Sequence, residues 1–267
     1  MFNKLIWRSI SFSALLLTII FVIGIFFAYK DVVYPEKSLP LITKPLPEEK
    51  VIEGFTCLTF GDSLTRGTGD ITGNSGYVGV LKNKLPAILK TTPVIQNYGV
   101  VGATSFDLIT LITKRTTLTQ IKTADLIIIT IGGNDLFHGG ESFEKLDLTV
   151  IEKARVNYQQ NLENIITTIR KANKEVPIYI LGLYNPFIDL PKQELTSKVV
   201  QTWNQTIIDT ITFDPKITFI PTFDLFQNAS GSPLLYTDHF HPNTKGYEKI
   251  AERILANIEV NFLDVKK

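Results

Sequence analysis

Five short apolar runs recur along the chain: Phe55–Phe60, Val94–Tyr98, Leu126–Ile131, Ile178–Leu183 and Ile217–Ile220. The third, Leu-Ile-Ile-Ile-Thr-Ile, is continuous and β-branched rather than alternating, the pattern of a strand covered on both faces. Between the runs, apolar residues step by three and four. Around Thr149–Asn173, the side chains of Ile151, Ala154, Tyr158, Leu162, Ile165 and Ile169 fall on one helical stripe. Tyr247, Ile250, Ala251, Ile254, Leu255 and Ile258 repeat the pattern near the end. Strands alternating with helices predict an α/β domain, a five-stranded parallel sheet sandwiched by helices. In such sheets ligands bind beyond the carboxyl ends of the strands.

The amino-terminal pattern is of another kind. From Ser9 to Tyr29 no residue is charged, and a helix of that length spans about 30 Å of hydrocarbon. Lys4 and Arg8 precede it and favour an amino terminus on the inside, which puts the remainder outside the cytoplasm. A cleaved signal peptide has a shorter apolar stretch followed by small residues, and Ile25-Phe26-Phe27-Ala28-Tyr29-Lys30 offers no clear pair of them. The expectation is a single-pass transmembrane helix kept as an anchor in the cell membrane, with a secreted form if it is cleaved. Pro35, Pro40, Pro45 and Pro47 then punctuate a charged segment that suits an extended tether. The expected organisation is an anchor over residues 1–29, a tether over 30–50 and one catalytic domain over 51–267, beginning near Val51.

Composition narrows the function. With 44% hydrophobic and 20% charged residues, the chain can bury a substantial core. Its net charge is +1 and no basic stripe stands out, so nucleic acid is not an expected partner. The lone Cys57 lies in the first apolar run, where a buried, inert thiol is expected, and a single cysteine cannot form an internal disulfide.

The chemistry gathers at strand ends. Ser63 follows the first run in Gly61-Asp62-Ser63-Leu64. On its own the tripeptide reads as a turn or a helix cap, since Asp and Ser both cap well. The glycines just after it do not make a phosphate loop: the third glycine of a dinucleotide fingerprint is missing, as is a P-loop lysine. Asp238 and His241 change the balance. A serine hydroxyl needs a base to take its proton, and an imidazole needs a carboxylate to fix its tautomer. Three residues apart, before Pro242-Asn243-Thr244 opens the last helix, the two can face one pocket. His239 is the rival base, with a neighbouring position that turns it elsewhere, and His138 reads as a loop residue. Donors for an oxyanion are expected in Asn97-Tyr98-Gly99-Val100-Val101-Gly102 after the second strand, and in Gly132-Gly133-Asn134-Asp135 after the third.

These blocks together resemble the SGNH/GDSL hydrolase family, and the overall pattern is similar to its membrane-anchored YpmR-like branch in Gram-positive bacteria. Gly61-Asp62-Ser63-Leu64 matches the block that carries the nucleophile, Gly102 the glycine of the second, Asn134 the asparagine of the third, and Asp238 with His241 the last. The resemblance implies a flavodoxin-like three-layer α/β/α sandwich and no cofactor or metal. It also implies ester hydrolysis by a Ser63–His241–Asp238 triad, with an oxyanion hole of Ser63, Gly102 and Asn134. A nucleophile elbow of the α/β-hydrolase kind does not fit, because Thr65 stands where its second glycine belongs. Two other classes remain open. One is a metal-dependent phosphoesterase using Asp62, Asn134, Asp135, His239 and His241; the other is a tethered, non-catalytic binding domain. Partners are an ester substrate and, through the amino-terminal helix, the membrane. Specificity is expected from the loops Phe137–Leu148 and Asn185–Pro191, through Phe143, Phe187 and Leu190.

Overall fold

The computed structural model describes residues 16–26, 54–137, 147–188, 191–227 and 234–263, within two compact units, Met1–Ile52 and Glu53–Lys267. In the first unit, residues 16–26 form a helix (α1) whose apolar side chains are exposed. At about 1.5 Å per residue this piece is about 16 Å long, half the hydrocarbon thickness. The rest of the expected span and the whole 30–50 tether lie outside the described residues. Among the described residues no helix is long and apolar enough to cross a membrane. His138, Phe143 and Leu190 also lie outside them.

In the second unit, β1 (Thr56–Gly61), β2 (Val94–Gly99), β3 (Leu126–Thr130), β4 (Ile178–Leu181) and β5 (Ile217–Ile220) pair in parallel in the order β2-β1-β3-β4-β5. This is a doubly wound order, with its switch point where β1 lies between β2 and β3. Strand residues alternate between two buried layers. Leu58, Phe60, Ile127, Ile129, Ile178 and Ile180 pack with α4 (Ser105–Ile112), α5 (Arg115–Lys122), α7 (Leu148–Ala172) and α8 (Gln193–Ile211). Cys57, Leu126, Ile128, Tyr179, Leu181 and Ile220 pack on the other side with α3 (Gly76–Leu89) and α9 (Thr244–Leu263). Cys57 is fully buried, as its apolar run implies, and burial pushes its thiol well above the usual range.

The helical stripes read from the sequence are the buried faces of α7 and α9. One strand ends sooner than its apolar run. Beyond Leu181, the side chain of Asn204 on α8 takes over the backbone of Leu183, accepting from its N–H at 2.7 Å and donating to its carbonyl at 2.8 Å. A side-chain amide there replaces the ladder, and the chain turns away above the sheet.

Candidate active site

Ser63 is presented by a short turn of helix, α2 (Ser63–Arg66), which leaves the carboxyl end of β1. Gly61 makes the turn possible. Its φ is +153°, and a Cβ on it would sit 2.2 Å from the Thr130 carbonyl oxygen and 2.6 Å from Thr65 Oγ1. Asp62 caps α2 by accepting the Leu64 N–H on Oδ1 at 2.9 Å. Gly67, left-handed at φ 89°, closes it at the other end. The Thr65 hydroxyl ties the turn to the sheet: it donates to the Phe60 carbonyl at 3.1 Å and meets Tyr77 Oη at 2.8 Å and Thr130 Oγ1 at 2.5 Å. Ser63 is therefore held on a buried footing, 4% exposed, at the first helical position, where the backbone N–H has no intrahelical acceptor.

The loop before α9 brings the imidazole. Leu235 and Pro242 form an antiparallel bridge, and Tyr236 N–H donates to the His241 carbonyl at 2.7 Å, so residues 236–241 fold back as a tight turn. His239 takes the left-handed conformation at its tip, φ 55°, and is exposed. His241 points inward. Its Nε2 lies 2.8 Å from Ser63 Oγ and its Nδ1 lies 2.7 Å from Asp238 Oδ2. Asp238 Oδ1 accepts the backbone N–H groups of Phe240 and His241, each at 2.9 Å. Partial burial alone would raise the Asp238 carboxyl, but the bonds from the His241 ring and the two N–H groups outweigh it and hold it below the ordinary aspartate value. It stays an anion beside the ring.

Two further strand ends complete the rim. After β3, Gly132 leads into a short helix, α6 (Gly133–Phe137), and rests against aromatic side chains: a Cβ at Gly132 (φ 115°) would come 2.7 Å from the Tyr158 ring. Asn134 lines the same cleft as Ser63 and gives one amide hydrogen to the Ala103 carbonyl at 2.8 Å. Gly102, left-handed at φ 78°, is the residue before Ala103 on the loop after β2. It lines a neighbouring depression with Gly61, Val100, Val101 and Ala103 rather than the cleft itself.

The cleft has an apolar side. It encloses about 460 Å³ of empty space open to solvent, lined among others by Ser63, Asn134, Phe137, Leu183, Tyr184 and Phe240. Phe240 stands edge-on to Phe137, with ring centroids 5.7 Å apart, and edge-on to the His241 ring at 5.1 Å. Phe187, expected in a specificity loop, joins this cluster at 5.5 Å from Phe137.

Three carboxylates near the rim differ in character. Asp62 is 3% exposed, and burial, helped by the charge of Asp135, pushes it up to about 7 against the opposing pull of the Leu64 N–H. Asp135 is raised by burial despite its bonds to Ser105. Asp238 is lowered. Among the described residues no group of three or more His, Cys, Asp and Glu side chains is placed to hold a metal ion. Of the set that a two-metal reading needs, Asp62 caps a helix, Asp135 is bonded to Ser105, and His239 is exposed at the tip of its turn.

Ser63, His241 and Asp238 are thus brought into one hydrogen-bonded chain, and Asn134 into the same cleft. Sequence reasoning placed Asp135 beside Asn134 and in the rival two-metal set, and did not single out Thr65 or Phe240 as parts of the site. Asp135 bonds to Ser105, 30 residues away, the Thr65 hydroxyl reaches as far as Thr130, 65 positions away, and Phe240 depends on the geometry of a turn, so no local pattern marks them.

A sequence model of the GDSL-like lipase/acylhydrolase family matches residues 59–249, a span that holds every residue of the hydrogen-bonded chain. YpmR of Bacillus subtilis (strain 168) is 33% identical over 216 residues, which covers 79% of this chain and 84% of that protein. The spore germination lipase LipC of Bacillus licheniformis is 30% identical over 201 residues, 73% of this chain and 92% of its own. Among solved structures, the lipase Lip_vut3 from a goat rumen metagenome superposes with a TM-score of 0.69 at 28% identity, covering 76% of this chain and 96% of that one.

Proposed function

The chain belongs to the GDSL-like lipase/acylhydrolase family, and from that footing we propose that it cleaves carboxylic esters with Ser63 as nucleophile, His241 as base and Asp238 as the orienting carboxylate. One observation carries this: the unbroken series Asp238 Oδ2, His241 Nδ1, His241 Nε2, Ser63 Oγ, with links of 2.7 and 2.8 Å. A serine hydroxyl at ordinary pKa is a poor nucleophile, and an imidazole aimed at it with its other nitrogen tied to an anion is what activates it.

The reaction proceeds in two acyl transfers. Ser63 Oγ attacks the ester carbonyl carbon as its proton passes to His241 Nε2, and the Nδ1–H donates to Asp238 throughout. The negative charge that develops on the carbonyl oxygen is met by N–H donors. The Ser63 backbone N–H sits at the start of α2, Asn134 has its second amide hydrogen to give, and the Gly102 N–H comes from the adjoining loop. His241 then protonates the leaving alcohol, and a water molecule, deprotonated by the same ring, releases the acid and restores Ser63. The Phe137–Phe187–Phe240 cluster offers the acyl group an apolar wall beside the imidazole.

The uncharged run Ser9–Tyr29, with Lys4 and Arg8 before it, supports an enzyme held at the outer face of the cell membrane. Membrane fractionation followed by protease protection of intact cells tests that part. For the chemistry, the full chain is treated with a fluorophosphonate probe and assayed on p-nitrophenyl esters from acetyl to palmitoyl. Labelling and turnover are expected in the wild type, with and without exhaustive chelation, and neither in Ser63→Ala. A Ser63→Ala variant that still hydrolyses these esters refutes the assignment. Activity abolished by chelation points to a metal-dependent hydrolase instead.

A further inference from the structure

The oxyanion donors proposed above come from two separate loops, and nothing in either loop alone sets the distance between them. Gly102 follows β2 and Asn134 follows β3, with β1 lying between those strands in the sheet. The β1 ladders fix the two strand ends, and beyond them bonds cross directly from one loop to the other. Asn134 supplies one, to the Ala103 carbonyl at 2.8 Å. Its neighbour Asp135 supplies two more, both to Ser105. Oδ2 accepts the Ser105 backbone N–H at 2.9 Å, and Oδ1 accepts the Ser105 hydroxyl in a short bond.

Ser105 is the first residue of α4, so its N–H is one of the donors that a helix leaves unpaired at its start. Thr104 and Asp107 close a capping box around that terminus, Thr104 accepting from Asp107 N–H and Asp107 accepting from Thr104 N–H. The Ser105 N–H is left to Asp135, a carboxylate from the next strand's loop at the positive end of the helix. The Ser105 hydroxyl in turn accepts a hydrogen from Asn161 Nδ2 on α7 at 2.9 Å, and Ser105 is completely buried. The loop after β2 is in this way bolted to the turn after β3 and, through Asn161, to the helix beneath both.

We propose that Asp135 is a positioning residue of the oxyanion site: by holding Ser105 with both carboxylate oxygens, it fixes the spacing between the Gly102 loop and the Asn134 amide. The proposal rests on the serine-hydrolase function set out above. Asp135 is not among the residues lining the cleft, and it acts on the transition state through Gly102 and Asn134. A small displacement of such donors has a large effect, since an error of about 1 Å can cost about 10² in rate. Losing a donor outright costs about 10²–10³.

The test is a mutant cycle on the full chain with a p-nitrophenyl ester, comparing wild type, Asn134→Ala, Asp135→Ala and the double variant. Asp135→Ala is expected to lower kcat by about ten- to 10²-fold with KM nearly unchanged. Its factor should shrink clearly in the Asn134→Ala background, because a donor already missing cannot be misplaced. Equal factors in both backgrounds overturn the proposal, as does a loss confined to thermal stability or KM. Asn134→Ala turning over at the wild-type rate sinks the oxyanion reading itself, and the positioning role with it; a damaged Asn134→Ala with equal Asp135 factors sinks the positioning role alone. Should Asp135→Ala fail to fold, Ser105→Ala takes its place in the cycle. It removes the hydroxyl bond and keeps the backbone one, with about a three- to tenfold fall in kcat expected. Wild-type kcat in Ser105→Ala then refutes the proposal.

Discussion

Asp62 stands next to Ser63, buried and charged at a cost, and replacing it with asparagine exposes that cost as a function of pH. Its carboxyl titrates at about 7 in the folded chain, chiefly because of burial, against about 3.9 for an aspartate in an unfolded one. Between those values the native state holds a proton that the unfolded state has released. Stability therefore falls as pH rises through this window and is fully recovered below the lower value. About three pH units at 1.36 kcal/mol each make about 4 kcal/mol the upper bound of the loss by pH 8. Asparagine has nearly the same shape and caps a helix about as well, so its amide oxygen can accept the Leu64 N–H while carrying no charge. The assay is urea unfolding of both proteins from pH 4 to pH 8.5, followed by the fluorescence of the fully buried Trp203. The stability of Asp62→Asn relative to wild type should climb with pH, by about 2–4 kcal/mol across the range. Any packing penalty of the amide shifts that curve bodily and leaves its slope alone. A difference that stays flat or falls between pH 5 and pH 8 refutes the claim that Asp62 is buried at the expense of its charge.

Three other outcomes are expected. Asp238→Asn should lower kcat on a p-nitrophenyl ester by as much as about 10⁴, because the ring loses the anion that fixes its tautomer, with Tm little changed; steady-state kinetics beside a melting curve checks it. Gly61→Ala should destabilise the domain by about 2–4 kcal/mol, since its Cβ meets the Thr130 carbonyl oxygen at 2.2 Å on the very turn that carries Ser63, and a urea titration reads the loss. Phe240→Ala should open the apolar wall, raising kcat/KM for octanoyl relative to acetyl esters by about tenfold, and an unchanged ratio on the ester panel would show that this wall does not meet the acyl chain.

What could be read beforehand divides by range. β3 stands where its apolar run lies, because a strand buried on both faces writes its burial into consecutive residues; the edge strand β5 also matches its run, although Thr218 and Phe219 are only half-buried. The end of β4 does not, since Asn204, 21 residues further on, intervenes at Leu183. Ser63, Asp238 and His241 were legible because the chemistry restricts residue types and because Asp238 and His241 are local to each other. The strand order is set by crossovers that leave no mark on periodicity. The same holds for the Thr65 hydroxyl, whose partners Tyr77 and Thr130 lie 12 and 65 positions away. Gly102 was legible as a glycine after a strand. Its separation from the cleft was not, because the depression it lines is shaped by residues from β1 to α4.

His241 and Asp238 lie 178 and 175 positions after Ser63, and both come after β5, which ends at Ile220. A ribosome therefore finishes all five strands of the described residues before it has added His241, the proposed base. On the proposed mechanism, a nascent or clipped chain that stops between Ile220 and Asp238 carries these five strands and Ser63, yet lacks the imidazole and carboxylate that would activate it.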